Sequence, residues 1–237
     1  MLRFVEIAVG AGSPLACVRC AAPLPADYSP LSILTPQIEA AAGQWTTRPG
    51  PNVLLVGPEP FAYPELPALV GACVRAGVER IGIETDGGAL SAHGNAAGAL
   101  SAGVTNIVVR VLATDDDRSA ALTGRPGLAR QVAQGVRAYR EAAERTGTHV
   151  SITAAVPVCR HNVEQLPATV AELATWGLDA VRLTSTASDI SLGGESALVA
   201  AACDTGMVNH LWVEVAPTLP LPDTHALHRV ETGAGDE

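Results

Sequence analysis

The segment "SPLACVRC" holds the residues of this chain whose types and spacing are most typical of metal or redox chemistry. Cys17 and Cys20 are two of the five cysteines among 237 residues, and Ser13 lies four residues before Cys17. A C-x-x-C pair of thiols is typical of redox-active sites and of half a zinc site, and it also arises by chance. From the residues alone, a metal or cluster site and a pair of inert buried thiols are both open.

The composition narrows the class of protein. Hydrophobic residues make up 48% of the chain and charged residues 16%, which predicts an ordered globular domain. The formal charge is −9 and aromatic residues are 3%, so nucleic acid is not an expected partner. An odd number of irregularly spaced cysteines favours a reducing, cytoplasmic compartment. Glu6 interrupts the N-terminal apolar segment, which argues against a signal sequence, and no apolar run is long enough to predict a membrane span.

Short apolar runs alternate with helix-forming stretches along most of the chain. "LRFVEIAV" and "NVLLVG" are typical of buried parallel strands, and "PELPALVGACVRAG" has the period of a helix that ends at Gly77. Six strand-helix units and a final strand follow from this pattern. We therefore predict an α/β fold, a partial (β/α)6 TIM-like barrel of parallel strands over residues 1–215, with 216–237 as a C-terminal tail.

Ligands of such folds gather at the carboxyl ends of the strands, so binding residues are expected in the segments that follow the strands. In chain order they are "GAGSPLACVRC", "GPEPFAYPEL", "TDGG", "ATDDDRSAALTGRPG" and "CRHN". Their order and spacing resemble the radical S-adenosylmethionine (radical SAM) family over about residues 3–186. In that family a C-x3-C-x2-C loop, a GGEP loop, a TNG-like turn and an asparagine follow strands one, two, three and five.

The resemblance implies a 4Fe-4S cluster and S-adenosylmethionine (SAM) as cofactors. Cys17 and Cys20 take the second and third cysteine positions of the cluster loop, and Ser13 stands where the first cysteine is expected. Thiolate is the ligand that iron–sulfur clusters prefer, and a serine hydroxyl is a much weaker acid and a poor replacement. We therefore expect the cluster to be weakened or absent, or completed by another residue.

The resemblance also implies which residues contact SAM. Glu59 is the strongest of them, because the GPEP loop holds it between prolines at a strand end, where it would orient the amino group of SAM. Its alternative role is a structural carboxylate that accepts hydrogen bonds from the loop backbone. Asn162 is either a SAM contact or the N-cap of a helix near Val163. The implied SAM-binding residues are Gly57, Glu59, Pro60, Thr85, Arg110 and Asn162.

Several residues depart from the family pattern, and they cluster around the cofactor positions. They are Ser13, Arg19, Pro58 and Asp86, with Arg110 at a position that is often serine in relatives, where it would hold the SAM carboxylate. These departures favour an alternative in which the chain keeps the barrel but acts as a non-catalytic binding or partner module. No residue is assigned a catalytic role, and the substrate, a small molecule or a peptide, is not identified by the sequence.

Two residues after the fifth strand offer a replacement ligand. Cys159 and His161 would complete a cluster site or, with Cys17 and Cys20, form a zinc site in a barrel without a cluster. The simpler expectation for Cys159 is that it packs as a small apolar residue. Asp115–Asp117 is expected to be a solvated loop, while Cys73 and Cys203 are expected to lie in the core.

Overall fold

The computed structural model describes residues 4–13, 24–45, 50–92, 94–185 and 195–229. Seven strands form a sheet in the order β1-β4-β5-β6-β7-β8-β9, and the pairs β1–β4, β4–β5, β5–β6, β7–β8 and β8–β9 are parallel. These strands are β1 Val5–Ala8, β4 Asn52–Val56, β5 Arg80–Thr85, β6 Val104–Arg110, β7 Ser151–Val158, β8 Ala180–Ser185 and β9 Trp212–Val215. The helices are α1 Leu31–Gly43, α2 Leu66–Arg75, α3 Asn95–Ala102, α4 Asp116–Thr123, α5 Leu128–Thr146, α6 Leu166–Leu173 and α7 Ser196–Val208. The predicted α/β fold with parallel strands is confirmed.

The sequence did not predict the hairpin formed by β2 (Gly10–Ser13) and β3 (Leu24–Tyr28). Its strands are antiparallel and bracket the segment that contains the cysteine pair. A Cβ atom at Gly10 would overlap the carbonyl oxygen of Asp27, so this position requires glycine. Glycine is poor in strands on propensity alone, and this close approach explains why it occurs here.

The chain divides into two compact units, and the first contains Ala21–Arg110 and Gln131–Ile152 together with β1. Residues 52–55 of β4 are all buried, as expected for a parallel strand that is covered on both faces. Leu34 and Ile38 of α1 are fully buried, as is the predicted core residue Cys73 of α2. Burial raises the pKa of the Cys73 thiol to about 11, so the thiol is neutral near pH 7.

Helix α1 begins earlier than the sequence indicates. The pair Thr35–Pro36 suggests a helix start, but α1 begins at Leu31 and contains Pro36 in its interior. Proline removes one backbone donor from the helix, and this cost is compatible with a helix whose apolar residues are buried.

The second unit contains Val111–Arg130 and Thr153–Glu237. Val170 and Leu173 of α6 and Val199 and Cys203 of α7 are fully buried, which confirms the core position predicted for Cys203. The 3-10 turn Asp223–His228 lies within the predicted tail, and His228 donates from Nδ1 to the carbonyl oxygen of Val213 at 2.7 Å. This turn is attached to the last strand of the sheet.

Two helical glycines provide a test of the packing around the turn after β5. A Cβ atom at Gly135 in α5 would lie 2.7 Å from Leu90 Cβ and 3.0 Å from the Gly87 carbonyl oxygen, whereas one at Gly98 in α3 would meet nothing within 4 Å. Gly135→Ala should lower the free energy of unfolding by roughly 1–3 kcal/mol through overpacking. Gly98→Ala should raise it by roughly 0.5–1 kcal/mol because alanine is the better helix former. Urea unfolding of both variants measures the difference, and equal effects would contradict the contact.

Candidate functional site

The loop after β4 places Glu59 at the carboxyl end of the sheet. Gly57 has φ +130°, and a Cβ atom there would lie 3.2 Å from the carbonyl oxygen of Gly10 and 3.3 Å from Val9 Cγ2. Only glycine adopts this conformation without strain. The extended Glu59 then leads into a 3-10 turn over Pro60–Ala62, for which it is the N-cap. Gly57 and Pro60 therefore determine the path of the loop on either side of Glu59.

The carboxylate of Glu59 accepts three hydrogen bonds from two strand ends. Oε1 accepts from the Phe61 amide at 3.1 Å and from Thr85 Oγ1 at 2.8 Å, and Oε2 accepts from the Asp86 amide at 2.7 Å. The residue is 7% exposed. The structural role that the sequence left open for Glu59, acceptance of backbone N–H groups, is therefore present. Among the described residues, the Asp86 amide is the donor to Oε2, and a carboxylate oxygen has room for a second partner.

Burial and a neighbouring acid control the ionisation of this carboxylate. Burial is the larger cause and the charge of Asp86 the second, and together they raise the pKa of Glu59 from 4.5 to about 7. The hydrogen bonds from Asp86, Thr85 and Phe61 act in the opposite direction without cancelling the shift. Near pH 7 Glu59 is thus poised between the acid and the carboxylate, and a cation bound beside it would favour the carboxylate.

The TDG turn after β5 supports Glu59 from the other side. The Thr85 hydroxyl donates to Glu59 and accepts from the Gly87 amide at 3.0 Å, and Asp86 Oδ1 accepts from the Gly88 amide at 2.9 Å. Thr85 is fully buried and Asp86 is 4% exposed. A chain of hydrogen bonds therefore runs from the turn backbone through Thr85 to Glu59. The structure thus brings together the predicted residues Glu59 and Thr85 and places a second carboxyl group beside them.

Arg110, at the end of β6, is directed at the loop that carries Glu59. Its Nη2 donates to the carbonyl oxygens of Pro58 at 2.9 Å and Gly57 at 3.4 Å. Nε lies 3.5 Å from Glu84 Oε1, an ion pair without hydrogen-bond geometry. The predicted SAM-carboxylate residue is thus placed beside the loop backbone.

The segment predicted to be the cluster loop follows strand β2 of the hairpin. Ser13 ends β2 and pairs with Leu24 in β3, while Cys17, Arg19 and Cys20 lie outside the described residues. At the other end of β3, the Tyr28 hydroxyl donates to the carbonyl oxygen of Glu59 at 2.9 Å. The pKa of Tyr28 is raised, first by burial and then by the charges of Glu59 and Asp86. The base of the hairpin is therefore in direct contact with the Glu59 loop.

Tyr28 was missed by sequence reasoning. The strand pairing Gly10↔Tyr28 brings it to the loop that follows β4, and this hairpin carries no strand pattern in the sequence. Its ring also packs against that of Tyr63, with centroids 5.7 Å apart. A lone tyrosine before Ser-Pro gives no local signal of either contact, so Tyr28 could be identified only from the tertiary structure.

Asn162 and Cys159 belong to the second unit. The Asn162 amide donates to the carbonyl oxygens of Leu112 at 3.0 Å and Pro157 at 2.8 Å, and its Oδ1 accepts from the Cys159 amide at 2.8 Å. Both amide donors are thus used by the backbone. Asn162 precedes the 3-10 turn Val163–Gln165 without a side-chain capping bond. Its contacts join the segments after β6 and β7.

Cys159 is fully buried and packs with Leu112, Ala113 and Leu122. This is the simpler of the two roles expected for it, a small apolar residue. The adjacent His161 accepts at Nε2 from Arg160 Nε at 3.2 Å. Within the described ranges, no three His, Cys, Asp or Glu residues are grouped so that they could hold a metal ion.

The expectation that Asp115–Asp117 is a loop was wrong for two of the three residues, because helix α4 begins at Asp116. Asp115 caps α4 by accepting from the Arg118 amide at 2.8 Å, and Asp116 Oδ2 pairs with Arg130 Nη2 at 2.6 Å.

No helix within the described parts of the chain is long and apolar enough to cross a bilayer.

The fold described above is similar to that of several solved structures, among them a radical S-adenosylmethionine methyltransferase. No protein-family profile and no curated protein matches the sequence, so the assignment of the fold depends on solved structures. At 12–14% identity these similarities show the fold alone.

Three structures illustrate the similarity. Streptococcus suis SuiB bound to precursor peptide SuiA has a TM-score of 0.68 and 14% identity, over 90% of this chain and 48% of SuiB. Methylornithine synthase (PylB) has a TM-score of 0.62 and 14% identity, over 96% of this chain and 69% of its own. A third structure is that of the radical S-adenosylmethionine methyltransferase TsrM from Kitasatospora setae, with cobalamin and a [4Fe-4S] cluster bound. Its TM-score is 0.52 and its identity 13%, over 77% of this chain and 36% of TsrM. The chain thus spans about half the length of SuiB.

The raised pKa of Glu59 predicts a specific dependence of stability on pH. Between pH 4.5 and about 7 the folded chain holds a proton on Glu59 that the unfolded chain has lost. The free energy of unfolding should therefore fall as pH rises through this window, by at most about 1.4 kcal/mol per pH unit from this group.

Urea unfolding at pH 5, 6, 7 and 8 measures this slope in the wild type, in Glu59→Gln and in Glu39→Gln, which changes an exposed carboxylate of α1. Glu59→Gln should remove most of the fall between pH 5 and 7, and Glu39→Gln should keep it. An identical slope in all three proteins would show that Glu59 ionises normally.

Proposed function

We propose that this chain is a diverged radical-SAM-type domain that binds S-adenosylmethionine beside Glu59 and holds a 4Fe-4S cluster at Cys17, Cys20 and Ser13 when one is assembled. The observation that carries the proposal is the buried Glu59 carboxylate at the carboxyl end of β4, adjacent to the acidic Asp86. The charge of Asp86 disfavours the charged form of Glu59, and a cation bound beside them would offset that repulsion.

The residues around Glu59 fit the amino group of SAM. In the part of the chain that the structure describes, one donor, the Asp86 amide, reaches Oε2, and Asp86 adds a second negative group. An ammonium group brings three donors and one positive charge to this position. Glu59 would orient the ligand, Thr85 would hold Glu59, and Gly57 and Pro60 would shape the loop.

The donors for the cluster fit less completely. Two thiols and one hydroxyl replace the three thiols that the family pattern uses, and Cys159 lies in an apolar cluster of the second unit. When bound and reduced by an external one-electron donor, a cluster would supply the electron that cleaves SAM into methionine and a 5′-deoxyadenosyl radical, which takes a hydrogen atom from a substrate to give 5′-deoxyadenosine. SuiB is described with a precursor peptide, so a peptide is one substrate class to test beside small molecules. A cytoplasmic location remains a prediction from the cysteines.

The first test of this proposal is binding of SAM to the purified chain. Isothermal titration should show binding that strengthens from pH 6 to 8, because the ammonium requires the charged form of Glu59. Glu59→Gln should weaken binding by roughly 10- to 100-fold, because it removes one charge-assisted hydrogen bond to the ligand.

5′-Methylthioadenosine, which lacks the amino acid part of SAM, is the control ligand. The wild type and Glu59→Gln should bind it equally if Glu59 contacts the amino group. No measurable binding of SAM by the wild type would refute SAM binding, and equal weakening for both ligands would refute the role of Glu59.

The second test concerns the cluster. Anaerobic reconstitution with iron and sulfide should give little visible absorbance in the wild type and more in Ser13→Cys, because the third thiolate is restored. Iron and sulfide per chain and the yield of 5′-deoxyadenosine from SAM are the measurements, with Cys73→Ser as the control for a buried thiol outside the loop. Equal iron content in the wild type and Ser13→Cys would contradict the assignment of Ser13 to the first ligand position.

A non-catalytic binding or partner module is the second candidate function. The observation that favours it is the burial of Cys159 among apolar side chains, which removes one replacement for the missing thiol. In this case the chain binds SAM or a related ligand through Glu59, yet neither the wild type nor Ser13→Cys cleaves SAM. Zinc that stays bound through purification would instead support a zinc site at the cysteine pair.

A further inference from the structure

Three successive carbonyl groups in the loop after β4 accept hydrogen bonds from distant side chains. Arg110 Nη2 donates to Pro58 at 2.9 Å and to Gly57 at 3.4 Å, and the Tyr28 hydroxyl donates to Glu59 at 2.9 Å. The two donors come from β6 and β3. The Glu59 carbonyl has a further donor in the Ala62 amide at 2.9 Å, so its support is shared.

This loop depends on outside donors because of its own sequence. β4 ends at Val56, and the two prolines on either side of Glu59 have no backbone N–H. A buried carbonyl without a partner costs roughly 1–3 kcal/mol, so these groups fix the loop only while the donors remain.

Arg110 and Tyr28 are themselves held in place. The Arg110 side chain is 11% exposed, and Glu84 lies 3.5 Å from its Nε. The Tyr28 ring packs against the buried Tyr63 ring. A residue that positions another must itself be held in place. Contacts outside the loop do this for both Arg110 and Tyr28.

We propose that Arg110 and Tyr28 are positioning residues for Glu59. By holding the carbonyls of residues 57–59, they keep the Glu59 carboxylate against the Asp86 amide and the Thr85 hydroxyl. This differs from the role that the sequence implies for Arg110, direct contact with the carboxylate of SAM. The inference rests on the proposed function for the importance of Glu59, but its test needs no ligand.

The test is amide hydrogen exchange of Phe61 and Asp86, whose N–H groups donate to the Glu59 carboxylate. NMR of the full chain at pH 6 compares these two rates with those of amides in the same sheet. Arg110→Met should speed both rates by about tenfold relative to the sheet amides. Tyr28→Phe keeps the ring and should speed them by about threefold, because Ala62 still donates to Glu59.

Matched controls remove similar contacts elsewhere. Tyr139→Phe deletes a buried hydroxyl that donates to the carbonyl of Val104 at 2.6 Å, and Arg182→Met deletes an ion pair with Glu214 at 3.0 Å. Both should lower overall stability without changing the two relative rates. Arg110→Lys, which keeps one cationic donor, should restore part of the protection lost in Arg110→Met.

The outcomes separate this inference from the proposed function. Unchanged relative rates in both Arg110→Met and Tyr28→Phe overturn it, whether or not SAM binds. If Arg110→Met weakens SAM binding but not 5′-methylthioadenosine binding, with both rates unchanged, Arg110 contacts the ligand directly and the inference is wrong. If the wild type binds no SAM yet the rates change as expected, the positioning role stands and the proposed ligand fails.

Discussion

Burial of the Glu59 carboxylate is the constraint on which the geometry of the strand-end site depends. A carboxyl group that is 7% exposed needs hydrogen bonds to be retained in its charged form, and this chain supplies them from the 3-10 turn after Glu59 and from the turn after β5. Asp86 opposes that charge, and the balance leaves Glu59 with a pKa of about 7. The site thus stores an unfavourable charge arrangement that a cationic ligand would relieve.

The backbone around Glu59 follows from the same constraint. Gly57 adopts a left-handed φ where the loop approaches Gly10, and the prolines limit the conformations of the next residues. The carbonyls of Gly57 and Pro58 accept hydrogen bonds from Arg110, and that of Glu59 accepts from Tyr28 and from the Ala62 amide. The loop is therefore rigid only in the context of the hairpin and of β6, which links the position of Glu59 to residues far away in the chain.

The comparison with solved structures gives the fold and leaves the activity to be tested. SuiB, PylB and TsrM are similar over most of this chain at 13–14% identity, and the chain spans about half the length of SuiB. A shared fold at such identity does not imply a shared function, because function in such folds is carried by the loops at the strand ends. Asp86 lies in the turn after β5, whereas Ser13 is the last residue of β2.

Local patterns of residues were sufficient to predict the alternation of strands and helices and the strand-end loops that carry polar residues. Buried apolar runs such as "NVLLV" are local signals, and Gly-Pro-Glu-Pro marks a constrained strand end because glycine and proline restrict the backbone directly. The helix start that Thr35–Pro36 suggests is wrong, since α1 begins at Leu31. Burial of Leu34 and Ile38 in the core outweighed the local signal.

The hydrogen-bond partners of Glu59, Arg110 and Asn162 depend on the tertiary fold and could not be predicted from local patterns. Tyr28 reaches the site through a hairpin without a strand pattern, and Asn162 donates to a carbonyl fifty residues away along the chain. Hydrogen bonds of this range depend on the register of strands that are distant in sequence, and no local preference of residue type specifies that register.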